Sequence, residues 1–290
     1  MKKLSLLTGL FLLLAWQQGM AQQYFSNTIS SYFRDTYLSN PAFAGTHDKA
    51  FLYGLLNRSW IGFDGAPTLI TFTGDTRFGA HSAAGVQLSS DKTGQLQRSS
   101  LKLSYAYAIP LGGNNEYIRL GFSGTTYHEQ LDNSALTDGG VIDPAVKAFN
   151  DQSWHFDGDF GAIYENNRFN FSITAFNLSK WFPHLAHQPT DLQTFQVFTS
   201  YKFPVGDDLT LQPLASARFF TNTDWLFTGG GQLSYGKVFH VSAMWQNNKS
   251  FIAGASVGLG TFAEVNFFYG SGSRQSYGKQ YEIGLGVPIK

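Results

Sequence analysis

Residues 101–109 read LKLSYAYAI. Leu101, Leu103, Tyr105, Tyr107 and Ile109 fall on one side of an extended chain, and Lys102, Ser104, Ala106 and Ala108 on the other. A period of two is the period of a strand, in which successive side chains point to opposite faces. The pattern returns along almost the whole sequence. Leu209, Leu211, Ala215, Ala217 and Phe219 alternate with Thr210, Gln212, Ser216 and Arg218. Ala263, Val265, Phe267 and Tyr269 alternate with Glu264 and Asn266, and Tyr281, Ile283, Leu285, Val287 and Ile289 with Glu282, Gly284 and Gly286. About fourteen such segments lie between residues 51 and 289, the first over 51–61. Each is roughly 9–11 residues long, enough for a tilted strand to cross a bilayer.

In water, alternating strands would form a sandwich with a solvated face rich in Lys and Glu. Here the polar phase is small and weakly polar, mostly Gly, Ser, Ala and Thr. Charged residues are 14% of the chain, against about 25% in typical soluble domains. Aromatics are 16% and glycines number 31. No later apolar run approaches the roughly 20 residues of a spanning helix. The sequence therefore predicts an all-β fold, a transmembrane antiparallel β-barrel of about fourteen strands.

The first residues agree with export. Lys2 and Lys3 precede an almost wholly apolar stretch, Leu4–Trp16, and Gly19-Met20-Ala21 supplies small residues for a signal peptidase. The expected division is a signal peptide over 1–21, an N-terminal plug or periplasmic segment over 22–48, and the barrel over 49–290. The expected location is the outer membrane, with its lipid as one partner. The chain has no cysteine, so no disulfide stabilises it despite export. Of 20 basic and 20 acidic residues, removal of Lys2 and Lys3 leaves 18 against 20, and no basic footprint for nucleic acid remains.

Residues 22–48 do not alternate. Tyr24, Phe25, Tyr32, Phe33, Tyr37 and Leu38 are scattered among Ser, Asn and Asp, which suits a plug-like segment. A plug would also account for Leu52 and Leu56 on the expected lumen phase of the first strand. That phase carries Arg58, Arg77, Lys102, Arg119, Lys202 and Arg218 against Asp75, Asp157, Asp159, Glu264 and Glu282. A selective pore would show a one-sided ring; a balanced set predicts a paired network that holds a plug or narrows the lumen. Pro213, within a strand, predicts a bulge.

If the first strand rises from the periplasm, the odd connections lie outside. The fifth (126–154) and the seventh (SKWFPHLAHQPTDLQ) are long, whereas LGGNN, ENN, VGDD, YG and LGT in even connections are short. Long outer loops and tight periplasmic turns are the barrel rule. Trp60, Trp154, Trp181, Trp225 and Trp245 all fall at or beyond the outer ends, where amphipathic rings favour the interface.

No enzyme signature appears, and no cofactor or metal is expected. His184 and His187 share a polar loop, which reads as solvated rather than metal-bound. Asp157-Gly158-Asp159 lacks the later glutamate of a calcium loop. Gly229-Gly230-Gly231 follows no strand-to-helix pattern and reads as small residues at a tight curve.

Two short blocks carry a family resemblance. Asn40-Pro41-Ala42-Phe43-Ala44-Gly45 is followed by Arg58, Trp60-Ile61-Gly62-Phe63-Asp64-Gly65-Ala66-Pro67. Together they resemble the PorP/SprF family of Bacteroidetes outer-membrane proteins, although Arg58 stands one residue closer to Trp60 than in that pattern. The resemblance implies a role in the type IX secretion system, with its secretion components or a secreted cargo such as a gliding adhesin as partners. The first block is also reminiscent of FadL-type transporters, fourteen-stranded barrels with an N-terminal hatch. The candidate plug or partner site is therefore Asn40, Pro41, Ala42 and Gly45 with Arg58, Trp60, Gly62, Phe63, Gly65, Ala66 and Pro67. Two prolines and several glycines preset the backbone there, so the two blocks are expected to act together as a fixed cap and plug.

Overall fold

The computed structural model describes residues 28–47, 49–112, 115–132, 143–181, 193–221, 225–236, 238–272 and 278–289. The expected signal peptide, His184 and His187 lie outside them. Fourteen antiparallel strands follow in chain order: β1 (Ala50–Arg58), β2 (Thr68–Phe78), β3 (Ser82–Thr93), β4 (Leu96–Pro110), β5 (Tyr117–Leu131), β6 (His155–Glu165) and β7 (Phe169–Phe176). The second half comprises β8 (Thr194–Tyr201, resumed at Phe203–Pro204), β9 (Leu209–Phe220), β10 (Leu226–Tyr235), β11 (Phe239–Gln246), β12 (Phe251–Leu259), β13 (Ala263–Ser271) and β14 (Gln280–Ile289). Each strand pairs with its neighbours in sequence. The last pairs with the first, from Ala50 opposite Ile289 to Arg58 opposite Tyr281, so the sheet closes into a barrel and keeps no free edge.

Alternation decides which side chains face in. Leu103, Tyr105 and Tyr107 on β4 are exposed outward, while Ser104, Ala106 and Ala108 are buried. Phe267 and Tyr269 on β13, and Ile283 and Leu285 on β14, are likewise outward, with Asn266, Phe268 and Glu282 inside. The outward set forms the apolar belt that a bilayer requires.

The rim where β1 begins and β14 ends, here the proximal rim, carries the short turns. The opposite, distal rim carries the longer connections. One of these includes α1 (Pro144–Asn150), capped by Asp143, whose Oδ1 accepts from Ala145 N at 2.8 Å. Trp60, Trp154, Trp181, Trp225 and Trp245 all stand at or near the distal rim, as the strand order requires.

Two expectations are corrected. On β1 the inward residues are Tyr53, Leu55 and Asn57; Leu52 is 47% exposed and faces out with Leu56 and Arg58. Both phases of FLYGLLN are apolar, so the phase of this strand is not readable locally. It is set by Tyr53 and Asn57, which are hydrogen-bonded to groups inside the barrel. At Pro213 there is no bulge. Leu214 opposes Ser200 and Leu211 opposes Phe203, so the register is unbroken across the proline. What is lost is ladder bonding: β8 pauses at Lys202, whose N–H turns to Arg168 O on the other side at 2.8 Å. A proline costs one donor, and the barrel absorbs that without an inserted residue.

Residues 28–47 form three 3₁₀ turns, Ile29–Tyr32, Thr36–Ser39 and Pro41–Phe43; most are buried and none is exposed. They touch inward side chains of β2, β4, β7, β10, β13 and β14. A segment that reaches so many strands of a closed barrel lies within it. Ile29 and Tyr32 join Phe198, Leu214, Met244, Ile252 and Phe268 in one apolar cluster. Tyr37, Ala42, Phe43 and Ala44 join Ala83, Ala106 and Ile163 in another. A small barrel leaves just such an interior to be filled by side chains.

Candidate functional site

The inner segment is attached at three levels. At the distal level its first 3₁₀ turn lacks a side-chain cap from Thr28. Glu282 of β14 supplies one: its carboxylate accepts from Ile29 N at 2.9 Å, Ser30 N at 2.6 Å and Asn57 Nδ2 at 3.0 Å, and from Ser30 Oγ. A carboxylate over the otherwise unpaired N–H groups at a turn's start is electrostatically favoured. Tyr53 donates to Ser30 Oγ at 2.7 Å and accepts from Asn266 Nδ2 at 2.7 Å. A side chain on Gly284 would collide with the Tyr53 hydroxyl, so this position must stay bare.

Farther along, Arg34 reaches Glu264, near the proximal end of β13, and Gln232 on β10, while the next contacts lie at mid-level. Asp35 is fully buried and accepts from Thr73 Oγ1 at 2.5 Å. Burial, with Asp75 close by, pushes the Asp35 carboxyl up to about 6. Tyr37 shares a 2.8 Å hydrogen bond with Ser104 of β4 and lies against Gly85 of β3, where a Cβ would be 2.5 Å from its Cζ.

The first sequence block sits lower, in the proximal half. Asn40 is 1% exposed. Its Oδ1 accepts from Ala42 N at 2.8 Å, capping the turn that Pro41 begins, and its Nδ2 donates to Ile173 O at 2.9 Å. Serine, asparagine and aspartate cap turns in this way. Gly121 and Gly161 lie beneath it as direct partners across the β5–β6 ladder. A side chain on Gly161 would overlap Asn40, and one on Gly121 would overlap the Pro41–Ala42 backbone. Gly45, at φ +70°, is held on both sides: its N–H donates to Asp75 Oδ2 at 2.6 Å and its carbonyl accepts from Arg77 Nε at 2.5 Å.

The second block is a brace at the distal rim. Arg58, exposed, ends β1, and Trp60 at φ +54° turns the chain. Ser59 N donates to Pro67 O at 3.0 Å and closes the loop. Ile61 N donates to Lys279 O at 3.1 Å, and Trp60 packs over Gly278. On the other side Gly94 N donates to Gly65 O at 2.9 Å. A Cβ on Gly65 would lie 3.0 Å from Gly94 Cα. The turn thus ties the β13–β14 connection to the β3–β4 hairpin across the mouth of β1 and β2. Gly62 and Asp64 are open to solvent, Phe63 is 69% exposed, and Ala66 leads into Pro67.

The structure does not bring the two blocks together. Gly45 is clamped by Asp75, eight residues along β2 from Pro67, which at ~3.3 Å per residue is about 25 Å. The expected cap and plug are two devices at opposite ends, one fastening the inner segment and one bracing the rim. Of the inward charges read from sequence, Asp75, Glu264 and Glu282 bind the inner segment, and Asp159 pairs with Lys102 at 2.5 Å. Arg58 is the exception and faces outward. Sequence reasoning missed Arg34 and Asp35 and the bare seats at Gly85, Gly121, Gly161 and Gly284. The seats carried a signal, glycine on the inward phase of an alternating strand, whereas Arg34 and Asp35 lie in a segment without periodicity. Among the described residues no three His, Asp or Glu converge as metal ligands would.

Residues 21–285 match the family described as type IX secretion system membrane protein PorP/SprF. No curated protein matches the chain. In fold it is similar to the toluene transporter TbuX of Ralstonia pickettii, at 12% identity and TM-score 0.54, over 88% of this chain and 94% of that one. It is also similar to the outer membrane protein Omp33 of Acinetobacter baumannii, at 9% identity and TM-score 0.52, over 83% and 98%. These likenesses concern the barrel alone.

Proposed function

Since the chain belongs to the PorP/SprF family of type IX secretion membrane proteins and is an outer-membrane β-barrel, we propose that it is a plugged, non-enzymatic binding component of that machinery. It acts as a scaffold for the translocon or for a secreted surface protein such as a gliding adhesin, and not as a conduit. One observation carries this reading: residues 28–47 lie inside the barrel, fastened by Glu282, Arg34, Asn40 and Gly45 to strands all round it. A segment held by that many buried polar groups is costly to remove, because each freed group loses its partner out of reach of water. In the proposed orientation the distal rim, with its long connections and tryptophans, faces the outside.

The test is affinity purification from detergent-solubilised outer membranes, run alongside conductance of the purified barrel in liposomes. Co-purified secretion components or a large surface protein, with silent liposomes, are expected. An open pore with no partner would overturn the reading. It would favour the second one, a FadL-like or porin-like small-molecule transporter whose inner segment is a movable hatch; the fold likeness to TbuX supports that alternative.

A further inference from the structure

The inward charges are balanced in number but not in place. The carboxylates of Asp75, Glu264 and Glu282 are bound to the inner segment, and Asp159 to Lys102. Arg218 donates to Gln196 towards the distal side, and Arg77, Arg119 and Lys202 gather below the segment, at the proximal mouth. There a cavity of about 430 Å³ is lined by Arg77, Arg119 and Lys202, with Glu165 as the one carboxylate in its wall. Its roof is Thr46, its inner wall includes the small residues Ala83 and Ala108, and Asn115, Asn166 and Asn167 stand at its rim.

The three cations differ in what holds them. Arg119 has a side chain only 7% exposed; its Nε donates to Glu165 at 2.5 Å, its guanidinium lies over the Tyr117 ring at 5.4 Å, and its two Nη groups have no hydrogen-bond partner among the described residues. Arg77 donates to the carbonyls of Gly45 and Thr46, which fix its direction without neutralising it. Lys202 is exposed and, among the described residues, makes no ion pair. Three cations against one anion leave two net positive charges facing a concave space with low-dielectric walls. Such a space concentrates an anion. Its volume is that of a pocket that takes a small ligand or a few residues of a chain.

We propose that this mouth binds the carboxylate of an acidic polypeptide segment presented from the proximal side. An arginine held at Nε offers its remaining N–H groups as a fork that matches a carboxylate. The rim asparagines are already engaged, Asn115 donating to Asn167 and Asn166 accepting from the N–H groups of Arg168 and Phe169, so recognition rests on the cations. Glu165 in the wall repels a dianion more than a single carboxylate, and among the described residues no helix N-terminus lines the cavity to favour phosphate. The proposal rests on the protein being a binding component.

The experiment titrates the full chain, purified in detergent, with a short peptide of Asp and Glu bearing a free C-terminus. Its Asn/Gln amide counterpart and inorganic phosphate serve as the comparison probes. Saturable binding of the acidic peptide, weakened by salt, is expected. It should fall at least ~10-fold in Lys202→Glu, whose exposed side chain makes no contact the fold needs. The pair Arg119→Gln with Glu165→Gln, which leaves no lone buried charge, should lose binding as well. No saturable binding, equal binding of phosphate, or unchanged binding in Lys202→Glu would each overturn the proposal. Peptide binding without co-purified secretion components sinks only the scaffold reading, and co-purification without peptide binding sinks only this site.

Discussion

Gly121 and Gly161 face each other across the β5–β6 ladder, and the bare backbone they leave is the seat of Asn40. A cross-strand pair is usually where two side chains support a sheet. Here both are absent so that a third chain segment can approach. The first prediction follows from that seat. Gly161→Val should displace Asn40 and overpack the wall by about 1–3 kcal/mol, while leaving the outward face untouched. The barrel should still reach the membrane. Amide exchange over residues 28–47 should rise sharply and liposome conductance should appear. Unchanged protection of the segment would show that Asn40 does not hold it.

The lipid belt supplies the second. Leu103→Arg or Phe267→Arg should cost about 2–4 kcal/mol near the midplane and reduce the folded, heat-modifiable form on gels. Ser104→Lys should act differently, because Ser104 faces in and bonds Tyr37. It should loosen the inner segment and spare barrel yield. Equal losses of barrel for all three would contradict the inward and outward assignment.

A third prediction concerns the distal brace. Gly65→Val meets a backbone at φ +70° and the Gly94 backbone at 3.0 Å. The strain is about 1–3 kcal/mol. The barrel should persist, but exchange at Gly94 and Ile61 should increase and co-purification of partners should fall. If partner recovery is unaffected, the turn braces the rim and nothing more.

The fourth is a pH dependence. Asp35 ionises near 6 inside the barrel and near 3.8 when free in solution. A raised acid favours its protonated form in the docked state. Docking therefore strengthens as pH falls from above 6 towards 4, and the whole range is worth roughly 3 kcal/mol. Its neighbours are Thr73, Asp75 and His47. Protease protection of residues 28–47 should be greater at mildly acidic pH than at neutrality, and Asp35→Asn should flatten the dependence. A wild-type profile without slope would rule out Asp35 as its source.

Period-two alternation determined the barrel and the strand count, because a side chain on a strand has only two directions and lipid accepts only one kind of residue. The residues of β4, β13 and β14 carry that choice in their own spacing. The inner segment's contacts were beyond such reading: Glu282 caps Ile29 and Ser30 from more than 250 residues away in sequence, and no local pattern encodes a partner at that distance. The phase of β1 was likewise open, since Leu52, Leu55 and Leu56 satisfy lipid or a packed interior alike. Only the closed barrel, by placing Tyr53 and Asn57 against Ser30 and Glu282, chose which leucines face lipid. The same closure separated the two sequence blocks. They are near neighbours along the chain, but one strand's length lies between them, and a strand carries its ends to opposite rims.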